Sequence, residues 1–106
     1  MYVERIHFER TGGFAGIRLA ADFDLGELPE EQVHTLTDLL DELDFPELPD
    51  VLSEDSSSSD EFTYTITVES EEWKHTIVTG DSSADEKMQE LLQLLNRLLR
   101  SQKKKQ

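Results

Sequence analysis

The chain contains no cysteine. Its fold therefore uses neither a disulfide bond nor a metal site built from thiolates. It also lacks an apolar run of about eighteen residues, which excludes an ordinary membrane-spanning helix. The first residues begin a strand-like pattern without the apolar stretch of a secretory signal, so we expect a cytoplasmic protein. A length of 106 residues predicts a single domain that covers residues 1–106.

Basic side chains are scarce: 10 lysines and arginines stand against 24 carboxylates, which gives a formal net charge of −14. This excess of negative charge repels the phosphates of nucleic acids, so DNA or RNA binding is not expected. Solubility explains most of these charges. They also leave an alternative function open, in which the chain is an acidic adaptor or a nucleic-acid mimic that binds a basic protein surface.

Glycine is scarce as well, and three of the five glycines fall in one short segment. The segment consists of Thr11, Gly12, Gly13, Phe14, Ala15 and Gly16. Apolar residues at every second position flank it, namely Ile6 and Phe8 before it and Leu19, Ala21 and Phe23 after it. This period of two predicts two strands that each bury one face and are joined as a β-hairpin. Gly12 and Gly13 suit the positive φ angles of such a connection.

Phe14 has two interpretations. If the second strand keeps a strict register back from Phe23, Phe14 lies on the outer side of the hairpin tip, where it would anchor a partner protein. If Gly16 instead marks a β-bulge, the parity changes and Phe14 returns to the core. The sequence leaves both interpretations open. Arg10, just before the segment, shares the parity of the apolar residues Ile6 and Phe8.

The remainder of the chain repeats the plan of two strands followed by a helix. Pro29 opens an amphipathic helix whose apolar stripe consists of Val33, Leu36, Leu39, Leu40 and Leu43. Alternating residues then predict a strand from Phe62 to Val68 and a partner strand over residues 73–79. A last helix carries the apolar positions Met88, Leu91, Leu92, Leu95, Leu98 and Leu99. The order ββαββα predicts an α+β two-layer sandwich, with one four-stranded sheet and two helices on one face.

Two stretches depart from this pattern. Residues 50–61 surround Ser56–Ser57–Ser58–Ser59 with acidic side chains. Because such a stretch buries too little apolar surface to offset its ordering entropy, we predict a flexible loop there. Residues 101–106 include three lysines and no acid, and we predict a basic disordered tail.

Several motifs together resemble the emfourin family. They are the segment Thr11–Gly16 between two strands, Leu28–Pro29–Glu30 at a helix start, Asp60, Phe62 and Tyr64 at a strand entry, and a leucine-rich last helix. The resemblance implies a protein inhibitor of a thermolysin-like zinc metallopeptidase, and this peptidase is then the partner. It implies that the partner-binding segment, residues 11–16, blocks the active-site cleft. The zinc would belong to the enzyme.

Motifs for catalysis are incomplete throughout. The run from Gly12 to Gly16 lacks the lysine and the serine or threonine of a phosphate-binding loop. Val33 stands where a calcium loop beginning at Asp22 requires a glutamate. If His7 and His75 faced each other across the open side of the sheet, they would form part of a metal site, yet no third ligand has a suitable spacing. We therefore expect no enzymatic activity, no cofactor and no metal site, and we expect a monomer.

Overall fold

The structure is a computed structural model that describes residues 3–12, 18–51, 62–80 and 85–104, with side chains to residue 101. Within these ranges the strands are β1 (Arg5–Gly12), β2 (Leu19–Asp24), β3 (Phe62–Glu69) and β4 (Lys74–Gly80). The helices are α1 (Glu30–Leu43) and α2 (Glu86–Lys104), and short 3-10 turns cover Leu25–Glu27 and Phe45–Glu47. The predicted α+β class and the order ββαββα are confirmed.

The strands form one sheet in the order β2-β1-β3-β4, and all three neighbouring pairs are antiparallel. In this register Ile6 of β1 opposes Phe23 of β2 and Val68 of β3. Phe8 opposes Ile66 in the same way. All five of these side chains are buried. The sequence therefore predicted correctly which alternate residues of the first and third strands face the core.

Both helices cover one face of the sheet. Buried side chains of the sheet and the helices belong to one hydrophobic cluster, which includes Ile6, Phe8, Phe23, Ile66, Val68, Ile77, Leu36, Leu40, Leu91 and Leu95. The opposite face carries threonines that are exposed or half-buried, namely Thr63, Thr65, Thr67 and Thr76. The predicted two-layer arrangement is therefore confirmed, with a polar outer face of the sheet.

The ends of α1 follow from local chemistry. Pro29 lies just before the helix and has no N–H to leave unpaired there. Glu30 and Glu31 in the first turn interact favourably with the positive end of the helix dipole. At the other end Asp44 adopts a left-handed conformation with φ of 53°, and its N–H bonds back to the carbonyls of the last turn. Pro46 follows two residues after Asp44 and cannot continue the helix.

Helix α2 has a side-chain cap at its start. The Oδ1 atom of Asp85 accepts a hydrogen bond of 2.9 Å from the backbone N–H of Met88, three residues later. This geometry is that of an N-cap residue, which satisfies one of the free N–H groups of the first turn. The backbone helix ends at Lys104, and so extends into residues 101–106, where the sequence predicts a basic disordered tail. Lysines near the C-terminal end of a helix suit its negative dipole end.

The chain that follows α1 runs along the outer edge of β4. The N–H of Val78 donates to the carbonyl of Asp50 at 2.8 Å, and Val51 forms a parallel bridge with Val78. Asp50 and Val51 are the described part of the predicted flexible loop 50–61. Its other residues lie outside the described ranges, and the prediction of a flexible loop remains a prediction.

Candidate functional site

The predicted partner-binding segment begins within the last two residues of β1. Thr11 and Gly12 are the last two residues of β1, and they oppose Thr63 and Phe62 of β3. Among the described residues, the final pair between β1 and β2 is Arg10 with Leu19, and β1 continues for two residues beyond this pair. Within the part of the chain that the structure describes, Thr11 and Gly12 are therefore paired with β3 and not with β2. Gly13, Phe14, Ala15 and Gly16 lie outside the described residues.

Gly12 has a backbone conformation that other residues rarely adopt. Its φ angle is 95°, whereas residues with a Cβ atom strongly prefer negative φ. The sequence-based expectation that glycine supplies a positive φ at this connection is therefore confirmed for Gly12. Since Gly12 is also the last residue of β1, the strand ends where its backbone turns away from the extended conformation.

The helix-facing side of this strand end is fixed by Arg10. Its guanidinium carbon lies 4.9 Å from the centroid of the Phe62 ring, within the range of a cation–π contact. Its Nη1 atom donates a hydrogen bond of 2.7 Å to Oδ1 of Asn96 in α2. The Nδ2 atom of Asn96 donates to the carbonyl of Leu92 at 2.9 Å. Arg10 therefore connects the end of β1 to β3 and to α2.

The opposite face of the hairpin is fixed by a second pair. The Nε atom of Arg18 donates to Oε1 of Glu9, and the two side chains also form an ion pair. The Glu9 side chain is only 18% exposed, whereas that of Arg18 is 70% exposed. Arg18 lies one residue before β2, so the pair joins the two chain ends that leave and enter the segment. The contacts of Arg10 and of Glu9 therefore fix the base of the segment, Thr11 and Gly12, on the two faces of the sheet.

The histidines do not form the arrangement considered from the sequence. His7 opposes Asp22 and Thr67 on the polar face, and its Nδ1 atom lies 2.7 Å from Oδ1 of Asp22. His75 opposes Val68, so its side chain lies on the helix-covered face. The interpretation that placed both rings on the open side of the sheet is wrong. The described residues contain no group of three or more histidine, aspartate or glutamate side chains able to hold a metal ion.

A cleft of about 550 Å³ lies at the other end of β1 from Thr11 and Gly12. Its polar lining includes Glu30, His34 and Thr37 of α1. The hydroxyl of Thr37 donates to the backbone carbonyl of His34 at 3.1 Å rather than to the imidazole. A hydroxyl nucleophile requires a base that accepts its proton, and this cleft shows no such pair among the residues that the structure describes.

A model of the Emfourin family matches residues 8–96. The chain belongs to the Emfourin family. The matched range begins at Phe8 in β1 and ends at Asn96 in α2, so it contains the whole segment 11–16 and both residues of the Arg10–Asn96 hydrogen bond. Searches of curated proteins and of solved structures gave no match.

Membership of the Emfourin family has a direct functional meaning, because this is a family of metallopeptidase inhibitors. The resemblance noted from the sequence motifs is therefore confirmed at the level of the family. No helix in the described ranges is long and apolar enough to span a membrane. Sequence reasoning did not predict the contact between Arg10 and Asn96 beside the candidate site. The available signal was the charged side chain of Arg10 at an apolar position of β1.

Proposed function

We propose that this Emfourin-family protein inhibits a thermolysin-like zinc metallopeptidase by inserting residues 11–16 into its active-site cleft. The family match carries the proposal, and the geometry of Thr11 and Gly12 supports it. An inhibitor of this kind needs a thin segment on a rigid scaffold, because little conformational entropy is then lost on binding. Glycine provides the thin backbone, and the sheet provides the scaffold.

The side-chain contacts that fix the base of the segment support the same function. Arg10 ties one side of the strand end to α2, and Glu9 with Arg18 ties the other side across the hairpin. Both contacts exist in the free protein, so the base of the segment is ordered before any partner binds. Preorganisation of this kind raises affinity without adding a contact to the target.

Phe14 is the proposed anchor within the segment. The family resemblance implies a target that favours a large apolar side chain just beyond the bond it cleaves, and Phe14 is the large apolar residue of the segment. Residues 11–16 contain no carboxylate. A backbone carbonyl of the segment is therefore the group that would approach the fourth coordination position of the enzyme's zinc, which catalysis keeps open.

The experiment that tests this function is an inhibition assay. A thermolysin-like peptidase is incubated with increasing amounts of the purified chain, and hydrolysis of a quenched fluorescent peptide is followed. We expect the rate to fall to zero at saturation and the apparent inhibition constant to rise with substrate concentration, as for any inhibitor that occupies the cleft. A serine peptidase serves as a control and should remain active. Full activity of the metallopeptidase at saturating chain would overturn the proposal.

The salt dependence of inhibition separates this function from the alternative of an acidic adaptor. Binding through dispersed carboxylates weakens steeply as salt rises, because ions screen exposed charges beyond a Debye length of about 8 Å near physiological ionic strength. Binding through an aromatic side chain in an apolar pocket changes little. We therefore expect nearly constant inhibition from low to moderate salt. A steep loss over that range would favour the acidic adaptor.

A further inference from the structure

Arg10 occupies a position that the strand pattern reserves for an apolar side chain. It shares its face of β1 with Ile6 and Phe8, which are fully buried. In the register with β3 it opposes Tyr64, which is also buried. Placing a charged side chain among apolar neighbours costs free energy unless the charge is paired or hydrogen-bonded. Arg10 is half-buried there, and its partners explain how the charge is tolerated.

The partners of Arg10 come from two different elements. The Phe62 ring belongs to the first residue of β3, and Asn96 belongs to the middle of α2. Because Asn96 Nδ2 donates to the carbonyl of Leu92, the amide is oriented with its oxygen toward Arg10. The hydrogen bond is therefore directional, and it joins residues that are 86 positions apart in the sequence.

The same contacts lead to the base of the partner-binding segment. Phe62, which lies under the guanidinium, directly opposes Gly12 in the β1–β3 register. In the described chain, Arg10 is the last residue of β1 that is paired with both neighbouring strands. Arg10 thus contacts Asn96 of α2 and Phe62, the β3 residue that opposes Gly12.

We infer that Arg10 is a positioning residue of the inhibitor. Its contacts with α2 and with Phe62 restrict the movement of Thr11 and Gly12. They thereby hold the base of the binding segment in the conformation that the target binds. This inference rests on the proposed function. Arginine suits the role because its planar guanidinium stacks on a ring and donates at its edge at the same time, whereas a lysine ammonium offers donors without the planar face.

Hydrogen exchange in the free protein tests the connection without any target. Backbone amide exchange is measured by NMR for wild type, Arg10→Met, Asn96→Ala and the double variant. Methionine keeps an unbranched chain beside Phe62 and removes the bond to Asn96. We expect faster exchange at Thr11 and Gly12 in each variant, with no further increase in the double variant. The amide of Ile66, in the middle of the sheet, reports global stability and should change less.

Inhibition of the peptidase tests the consequence. We expect Arg10→Met and Asn96→Ala to weaken inhibition by roughly tenfold each, the size expected for one lost hydrogen bond to a charged group. The double variant should be no weaker than either single variant, because both remove the same bond. Arg10→Lys should fall between wild type and Arg10→Met. Gln93→Ala, an exposed substitution on the same helix, is the matched control and should inhibit like wild type.

The possible outcomes have separate meanings. Unchanged exchange at Thr11 and Gly12 in Arg10→Met overturns the positioning role, whatever the inhibition shows. Weaker inhibition by Arg10→Met with full inhibition by Asn96→Ala also overturns it, since Arg10 would then contact the target directly. If the wild-type chain inhibits no thermolysin-like peptidase, the proposed function fails, and the exchange measurements still decide whether Arg10 orders the end of β1.

Discussion

The Nε2 atom of His75 in β4 lies 2.7 Å from the backbone carbonyl oxygen of Leu48, in the chain that follows α1. The same ring meets Phe45 edge-on, with centroids 5.7 Å apart and planes at 80°. Phe45 is fully buried in the core. His75 therefore fastens the chain after α1 to the outer edge of the sheet, where an unpaired strand would otherwise invite pairing with another chain.

Replacing His75 by alanine should destabilise the protein by about 1–2 kcal/mol, because the variant loses one hydrogen bond and one aromatic contact. Urea unfolding followed by circular dichroism measures the change. His34→Ala is the matched control, since His34 is exposed on α1 and surface substitutions usually change stability by less than about 0.5 kcal/mol. Equal effects of the two substitutions would show that His75 does not fasten the edge.

The position of His75 illustrates what the sequence could not decide. In β1 the apolar residues Ile6 and Phe8 occupy alternate positions. The sequence therefore predicted correctly which face of this strand is buried. In β4, Ile77 and Val78 are adjacent and both apolar, so the alternation alone fits either parity. Only the pairing of His75 with Val68 of β3 shows which face His75 occupies. The strand order likewise depends on pairings between distant parts of the chain.

The candidate site shows the same limit. The glycine content of residues 11–16 predicted a special backbone, and the φ of Gly12 agrees. The contact between Arg10 and Asn96 has no local signature, because it depends on how α2 crosses the sheet. An isolated arginine at an apolar position predicts that a partner exists. It does not predict which residue the partner is.

Substitution of Lys87 should produce a stability change that depends on pH. The pKa of the Lys87 ammonium is raised above its ordinary value of 10.5, first by its hydrogen bond to Glu42 and then by the charges of Glu42 and Glu90. The Nζ atom lies 2.7 Å from Glu42 of α1, so the pair joins the two helices. A group with a raised pKa stabilises the folded state below its unfolded pKa, and this contribution is lost as pH rises through the folded pKa.

We therefore expect Lys87→Gln to lower the unfolding midpoint relative to wild type near neutral pH. The difference should vanish well above pH 10.5, and it should shrink in high salt because the pair is exposed. Arg97→Gln is the control, since it removes one positive charge from an exposed position of the same helix. A difference that persists unchanged at alkaline pH would contradict this account of the ion pair.

Alanine substitution of Leu92 and Leu95 tests whether the apolar face of α2 belongs to the core. Leu92 is 5% exposed and Leu95 is fully buried. Each leucine-to-alanine substitution should cost about 2–5 kcal/mol, because the transfer free energy is lost and a cavity remains. Chemical denaturation measures the loss, and sedimentation measures the mass. Unchanged stability together with a changed mass would place these leucines in an oligomer interface and contradict the expected monomer.

Gly12→Ala should destabilise the folded state by about 1–2 kcal/mol, since φ at this position is 95° and a Cβ atom strains that conformation. Gly26→Ala is the comparison, because Gly26 is not among the positive-φ residues of the described chain. Its added Cβ would meet only the Asp24 carboxylate, at 3.3 Å. Thermal unfolding of both variants should show the larger loss for Gly12→Ala. Gly12→Ala should also weaken inhibition by more than its unfolded fraction accounts for.

The two interpretations of Phe14 predict opposite results for Phe14→Ala. If Phe14 is the anchor for the peptidase, the variant should weaken inhibition by roughly 2 kcal/mol or more and leave the unfolding midpoint nearly unchanged. If Phe14 belongs to the core, the midpoint should fall first, and inhibition should decline only in proportion to the unfolded fraction. Measuring the midpoint and the inhibition constant on the same preparation separates these cases.

Gly13→Val provides a second measurement on the same segment. A β-branched side chain resists positive φ and thickens the backbone that must enter the cleft, so inhibition should weaken. If Phe14→Ala and Gly13→Val both inhibit as well as wild type at full stability, residues 11–16 do not make the contact with the target. The carboxylates would then be the better candidates, and a steep salt dependence of inhibition should accompany that result.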